Sequence, residues 1–107
     1  MKCYTFICSL LAYSLGAQTI KTNDLHEVFK DAFKMGAAVN HDIISDKDSL
    51  SQSLVKTHFN SITAENVMKA EIINPVPDVY HFEQADAYVD FGQKNNMFII
   101  GHTLVWH

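Results

Sequence analysis

The segment MFIIGHTLVW, residues 97–106, places the strongest constraint on the fold, because nearly all of its side chains are apolar or β-branched. A continuous run of this length suits a strand that is buried on both faces. Strands of that kind occur in parallel sheets, where helices cover the faces of the sheet. We therefore expect helices between this strand and any strand that precedes it.

Three earlier segments have the spacing of amphipathic helices. Residues 24–34 place their apolar side chains on one helical stripe, and Asp24 with Glu27 matches a capping box at the start of that helix. The other two helices are predicted over residues 48–58 and 82–94. In the helix at 48–58, the side chains expected to face inward are Leu50, Leu54 and Val55.

Short runs of strand-forming residues separate these helices. They cover residues 35–40 and 59–63, and residues 64–73 suit a helical turn. The resulting order is strand, helix, strand, helix, strand behind a leading helix, which predicts an α/β fold with a parallel sheet. Three parallel strands leave both sheet edges open, so we expect them to belong to a larger sheet.

Composition and charge exclude several classes of partner. The chain has 107 residues, of which 48% are hydrophobic and 19% charged, as in a folded globular protein. Eight lysines and no arginine stand against twelve acidic residues, which gives a net charge of −4. Without a basic cluster, nucleic acid and anionic membranes are poor partners, and a neutral or weakly charged ligand fits better.

Residues 1–17 have the layout of a secretory signal peptide. A lysine precedes the apolar stretch YTFICSLLAYSL, and two small residues follow it. The stretch is short for a membrane span, and a buried N-terminal helix is the alternative. Cleavage near Ala17 would remove both cysteines. We therefore expect a secreted protein, extracellular or periplasmic, whose residues 18–107 fold without disulfides and without a membrane anchor.

The histidines do not predict a metal site. His26 and Glu27 begin like the helix of a zinc protease, but Lys30 stands where the second histidine ligand belongs. His102 and His107 are five residues apart, which puts them on opposite faces of a strand. No glycine-rich turn leads from a strand into a helix, so a nucleotide site is equally unsupported. We expect no metal and no other cofactor.

One polar cluster follows the second predicted strand. If a helical turn begins there, Glu65, Asn66 and Lys69 share one side of it. Carboxylate, amide and ammonium groups together offer donors and acceptors for neighbouring hydroxyls. Spacing alone is explained more simply by an exposed ion pair between Glu65 and Lys69, worth about 0.3–0.5 kcal/mol.

A second cluster lies on the third predicted strand, where His102, Leu104 and Trp106 share one face. Tryptophan offers a flat apolar surface and histidine a polar group, which together suit the faces and hydroxyls of a sugar ring. A straight strand separates His102 from Trp106 by roughly 13 Å, so both reach one ring only if the chain bends after Leu104. Spacing alone again favours a simpler explanation, a core tryptophan beside a hydrogen-bonded histidine.

Together, the two clusters lie in motifs that are similar to those of a known family. FNSITAENVMKAE at 59–71 and GHTLVWH at 101–107 resemble glycoside hydrolase family 10, the secreted endo-1,4-β-xylanases. The intervening DVYHFEQADAYVDFGQKNNMFII resembles the family's segment between its second and third strands. This resemblance implies a (β/α)8 TIM barrel, of which the chain is the N-terminal part with roughly three strands of eight.

The resemblance also implies roles for particular residues. It makes Glu65, Asn66 and Lys69 hydrogen-bonding partners of a xylose on the glycone side. It places His102 and Trp106 around the position next to the scissile bond. It matches His107 to a family histidine that supports the site from beneath. Many members of the family have tryptophan or proline where this chain has an alanine at position 70, which affects packing behind the glycone subsite.

The catalytic residues implied by the resemblance lie outside these motifs. Retaining hydrolysis needs two carboxylates about 5–5.5 Å apart. The resemblance assigns them to glutamates on the fourth and seventh strands, so we expect both beyond residue 107. The expected substrate is xylan or a xylo-oligosaccharide, cleaved by the full-length enzyme, whereas the 107 residues alone should be inactive. The alternatives are a secreted carbohydrate-binding protein without catalysis and an inactive remnant.

Overall fold

The computed structural model describes residues 24–105, which form three strands and five helices. In chain order these elements are α1 (Leu25–Val28), β1 (Gly36–Val39), α2 (His41–Ile44), α3 (Ser49–His58), β2 (Ser61–Ala64), α4 (Ala70–Ile73), α5 (Glu83–Lys94) and β3 (Phe98–Ile100). The predicted signal peptide, together with Trp106 and His107, lies outside the described residues. Within residues 24–105, no helix is long and apolar enough to cross a bilayer.

The strands form one parallel sheet in the order β1-β2-β3. Gly36 pairs with Ser61 in the first ladder, and Ser61 pairs with Phe98 in the second. Each connection between neighbouring parallel strands contains a helix of at least ten residues, α3 in the first and α5 in the second. The predicted α/β fold with a parallel sheet is therefore confirmed, and all three carboxyl ends lie along one edge of the sheet.

The two faces of the sheet differ in burial. On the face that packs against the helices, Val39, Ile62 and Ala64 are buried and Ile99 is partly buried. The core continues into the helices through Val55 of α3 and through the buried residues of α5, which are Ala85, Tyr88, Phe91 and Gly92. The opposite face carries Gly36, Ala38, Ser61, Thr63, Phe98 and Ile100, and most of it is exposed.

The third strand is shorter than predicted. Only Phe98–Ile100 pair with β2, and the expected strand over 97–106 ends before Gly101. Burial on both faces is also wrong, because Phe98 and Ile100 are 55% and 41% exposed. The physical reason is that helix α5 covers only one face of this edge strand.

The leading helix is also shorter than its pattern predicts. It ends at Val28 instead of extending to residue 34, and it buries no side chain. Asp24 stands at the N-cap but makes no side-chain capping hydrogen bond, so the predicted capping box is wrong. An amphipathic stripe that lacks a packing partner adds little to the stability of a short helix. The Phe29 and Phe33 rings instead stack on each other with centroids 5.1 Å apart.

Helix α3 has its predicted bounds within one residue but a different buried face. The Asp48 side chain caps it by accepting a hydrogen bond from the Ser51 N–H at 3.1 Å. Val55 is buried as expected, whereas Leu50 and Leu54 are 74% and 51% exposed. Their place in the core is taken by Gln52, whose side-chain amide donates to the Ile43 carbonyl at 2.8 Å.

Candidate sugar-binding site

The first predicted cluster lies at the carboxyl end of β2. The chain leaves the strand at Ala64, and the Glu65 N–H donates to the Val39 carbonyl at 3.0 Å, which fixes the turn against β1. The Glu65 and Asn66 side chains are exposed, whereas Val67 is buried beneath them. The buried valine anchors a turn whose polar residues face outward.

This turn is not the helix that the sequence predicts from residue 64. Helix α4 begins only at Ala70, with Lys69 as its extended N-cap residue. The Lys69 N–H donates to the Asn66 carbonyl at 2.9 Å, and the Lys69 ammonium donates to Asn66 Oδ1, also at 2.9 Å. Amide and ammonium are thus brought together by a turn rather than by a helical face.

Within this cluster, the Lys69 ammonium contacts the uncharged side-chain amide of Asn66. The exposed ion pair between Glu65 and Lys69 stays an alternative explanation of their spacing. An amide held against an ammonium presents both acceptor and donor groups to a ligand hydroxyl.

The second predicted cluster follows β3. His102 is partly buried and comes two residues after the last strand residue, Ile100. The chain bends at Leu104 and Val105, where the Thr103 hydroxyl donates to the Val105 carbonyl at 2.9 Å. A bend after Leu104 is what the sequence predicts if His102 and Trp106 are to reach a common ring.

The segments that contain the two clusters border one shallow apolar cleft of about 190 Å³. Met68 and Ile73 line it from the segment that follows β2, and Gly101, Thr103 and Leu104 line it from the segment that follows β3. A Cβ atom added at Gly101 would lie 3.5 Å from Met68 Sδ. The polar turn after β2 and the His102 segment are therefore neighbours at the carboxyl edge of the sheet.

A larger cleft of about 340 Å³ lies between helices α2, α3 and α5. Its lining includes Gln52, Lys56 and the last turns of α5, from Asp90 to Asn95. Because α5 leads into β3, its last turns lie near the amino ends of the strands, away from both predicted clusters. Of the predicted site residues that the structure describes, Glu65, Asn66, Lys69 and His102, none lines this cleft or the smaller one.

A polar link that no sequence motif predicts lies beneath the site. The Tyr88 side chain of α5 is fully buried, and its hydroxyl lies 2.9 Å from both the Ile62 and the Ile100 carbonyl oxygens. Burial raises the pKa of the Tyr88 hydroxyl above its ordinary value. A tyrosine at a core position of a helix is the only sequence signal for this link, because a buried hydroxyl needs a partner.

The side chain of Asn74 orders the loop between α4 and α5. The Asn74 amide donates to the Val76 and Val79 carbonyls at 3.0 and 2.9 Å. Tyr80 and Phe82 follow, with parallel exposed rings whose centroids are 5.8 Å apart. The two prolines predict a loop here, but no local sequence pattern predicts the hydrogen bonds within it.

No cluster of three or more histidine, cysteine, aspartate or glutamate side chains is placed to hold a metal ion within residues 24–105. The carboxyl edge offers the polar groups of Glu65, Asn66 and Lys69 together with an apolar cleft. Such a combination suits a ligand with both hydroxyls and C–H faces.

Sequence comparison relates this chain to a large group of enzymes. The profile of Glycosyl hydrolase family 10 matches residues 24–107. A beta-1,4-xylanase of Dictyoglomus thermophilum is 50% identical over 103 residues, which cover 92% of this chain and 28% of that protein. An endo-1,4-beta-xylanase A of Thermotoga maritima is 44% identical over 87 residues, which cover 78% of this chain and 8% of that protein.

Solved structures agree with the sequence comparison. A mutant protein in complex with xylotriose is 46% identical with a TM-score of 0.72, covering 79% of this chain and 25% of that one. A xylanase from Thermobacillus composti is 49% identical with a TM-score of 0.69, covering 78% of this chain and 26% of that one. This chain thus spans about a quarter of the length of these two structures. It belongs to glycosyl hydrolase family 10, and its three parallel strands are the N-terminal part of that family's (β/α)8 barrel.

Proposed function

We propose that this chain is part of a secreted endo-1,4-β-xylanase, which hydrolyses internal β-1,4-xylosidic bonds of xylan with retention of configuration. Membership of the family and the xylanase names of its relatives support this proposal. The complex of a related protein with xylotriose supports a xylo-oligosaccharide as the ligand. Export rests on the predicted signal peptide at residues 1–17.

The observation that carries the proposal is the hydrogen bond between the Lys69 ammonium and the Asn66 amide oxygen, in the segment whose Met68 and Ile73 line the apolar cleft. In active barrels of this type, the site lies at the carboxyl ends of the strands. Glu65, Asn66 and Lys69 bind hydroxyls of a xylose on the glycone side. The exposed carboxylate of Glu65 accepts hydrogen bonds there and is not a catalyst.

The segment after β3 forms the neighbouring subsite. His102 and Trp106 line the position next to the scissile bond, and His107 supports them from beneath. The bend at Leu104 and Val105 is compatible with both rings contacting one sugar. The two subsites lie side by side because β2 and β3 are adjacent in the sheet.

Catalysis requires groups from other parts of the barrel. A retaining glycosidase uses one carboxylate as nucleophile and a second as general acid and base. The family resemblance assigns these to strands four and seven, whereas the described strands correspond to the first three. The 107 residues alone therefore bind sugar weakly at most and do not hydrolyse xylan.

The direct test uses the full-length enzyme, purified from culture medium and incubated with xylan. Proton NMR of the first products should show the β-anomer before mutarotation, and cellulose should be a poor substrate. Release of the α-anomer first would refute retention. Binding of xylo-oligosaccharides without any bond cleavage would instead support the carbohydrate-binding alternative.

A further inference from the structure

Tyr88 joins the two strands that carry the proposed sugar subsites. Its hydroxyl lies 2.9 Å from the Ile62 oxygen in β2 and 2.9 Å from the Ile100 oxygen in β3. A hydroxyl carries one proton, so the two carbonyls share a single donor. The hydroxyl therefore bridges the strands rather than serving only one of them.

The bridge lies at the carboxyl end of the β2–β3 ladder. Pairing of these strands begins with the Phe98 N–H donating to the Asn60 carbonyl and ends at the pair of Thr63 with Ile100. After this pair, β2 leads into the polar turn and β3 leads toward His102. The Tyr88 hydroxyl thus bridges the strands at the last two pairs of the ladder, Ile62 with Ile99 and Thr63 with Ile100.

Each subsite begins only a few residues beyond this bridge. Glu65 is three residues after Ile62, and His102 is two residues after Ile100. Small changes in strand separation at the bridge are passed directly to the distance between the subsites, because little chain intervenes. Catalysis is sensitive to such changes, since a misplacement of about 1 Å can cost roughly 100-fold.

We propose that Tyr88 is a positioning residue that sets the spacing between the Lys69 subsite and the His102 subsite. This inference rests on the proposed function and adds a residue that contacts no substrate. Tyr88 acts through the strand backbone, and its loss lets the two carbonyls move apart or admit water. The enzyme then holds two adjacent sugars less well in their reactive geometry.

The purely structural alternative is that Tyr88 only fills the core. It predicts that Tyr88→Phe affects catalysis no more than any other mild core substitution in the same helix. Phe91→Leu is the matched control, because Phe91 is also buried in α5 and forms no side-chain hydrogen bond to either strand end. A comparison of the two variants distinguishes an effect on the spacing between the subsites from an effect on core packing.

The experiment measures kcat/KM of the full-length enzyme on two nitrophenyl glycosides. The β-xyloside occupies only the position next to the scissile bond, whereas the second sugar of the β-xylobioside reaches the Lys69 subsite. The ratio of the two values reports how much the second sugar contributes to the transition state. Tyr88→Phe should lower this ratio roughly 10-fold, and Phe91→Leu should leave it within about twofold.

A ratio unchanged in Tyr88→Phe, or lowered equally in Phe91→Leu, overturns the positioning role. Lys69→Ala is included to keep the two proposals apart, because it should lower the ratio whether or not Tyr88 sets the spacing. A wild-type enzyme that cleaves neither glycoside, or a Lys69→Ala variant with an unchanged ratio, refutes the proposed subsites themselves. Should Tyr88→Phe fail to fold, Tyr88→Met removes the donor while keeping most of the buried volume, and the same ratio is measured.

Discussion

Gly92 of α5 lies directly against Ile99 of β3. A Cβ atom built on Gly92 would be 2.5 Å from Ile99 Cγ1 and 2.7 Å from Ile99 Cδ1, both well inside van der Waals contact. The missing side chain lets the helix approach the sheet closely. The same approach brings Tyr88, one turn earlier in the helix, within hydrogen-bonding distance of the two strand carbonyls.

Gly92→Val should destabilise the full-length enzyme. Overpacking a filled core costs about 1–3 kcal/mol, which exceeds the few tenths that replacing glycine in a helix contributes. Calorimetry at one fixed scan rate should show a transition several degrees lower than that of the wild type.

Gln93→Val is the control for this change, because position 93 is exposed on the same helix. Its transition should stay close to that of the wild type, since exposed substitutions rarely change stability by more than about 0.5 kcal/mol. A Gly92→Val enzyme that is as stable as the wild type, or more stable, would show that helix propensity, and not contact with Ile99, decides the result.

The 107 residues expressed alone should fold poorly. Phe98 and Ile100 expose apolar surface on the uncovered face of the sheet, and Leu50 and Leu54 do the same on α3. The outer edges of β1 and β3 are also unpaired among the described residues, which favours aggregation. Circular dichroism on heating should give a broad transition, and a soluble monomer with a sharp cooperative transition would contradict this expectation.

Trp106→Ala in the full-length enzyme should lower kcat more than it raises KM. The reason is that the proposed place of Trp106 is beside the sugar that distorts on the way to the transition state. Steady-state kinetics on xylo-oligosaccharides separate the two parameters. A change confined to KM would show that Trp106 contributes equally to ground-state and transition-state binding. Unchanged kinetics in a folded variant would support a role in the core.

Strong local patterns predict much of the fold. The helix at 82–94 and the strands at 35–40 and 59–63 are found within two residues, because their apolar spacing coincides with real packing surfaces. The parallel sheet follows from the alternation of predicted strands and helices along the chain. Sequence similarity adds the barrel and the family, which spacing alone could not supply.

The remaining differences arise from contacts between distant segments. Gln52 is buried because the Ile43 carbonyl accepts its amide, and no local pattern signals that partner. Leu50 looks like a core residue by spacing, yet it faces away from the described sheet. At the candidate site, the sequence motif identifies Asn66 and Lys69, but only the fold reveals that a turn joins them.

The most direct test of the sugar-site assignment is the catalytic efficiency of Lys69→Ala in the full-length enzyme on xylo-oligosaccharides. Loss of a charged hydrogen bond to a remote hydroxyl costs about 1.5–3 kcal/mol, so kcat/KM should fall about 10–150-fold. Lys94→Ala, at the far end of α5, is the matched control and should keep wild-type efficiency. If folded Lys69→Ala enzyme keeps wild-type efficiency as well, the polar turn after β2 does not bind the substrate and the account is wrong.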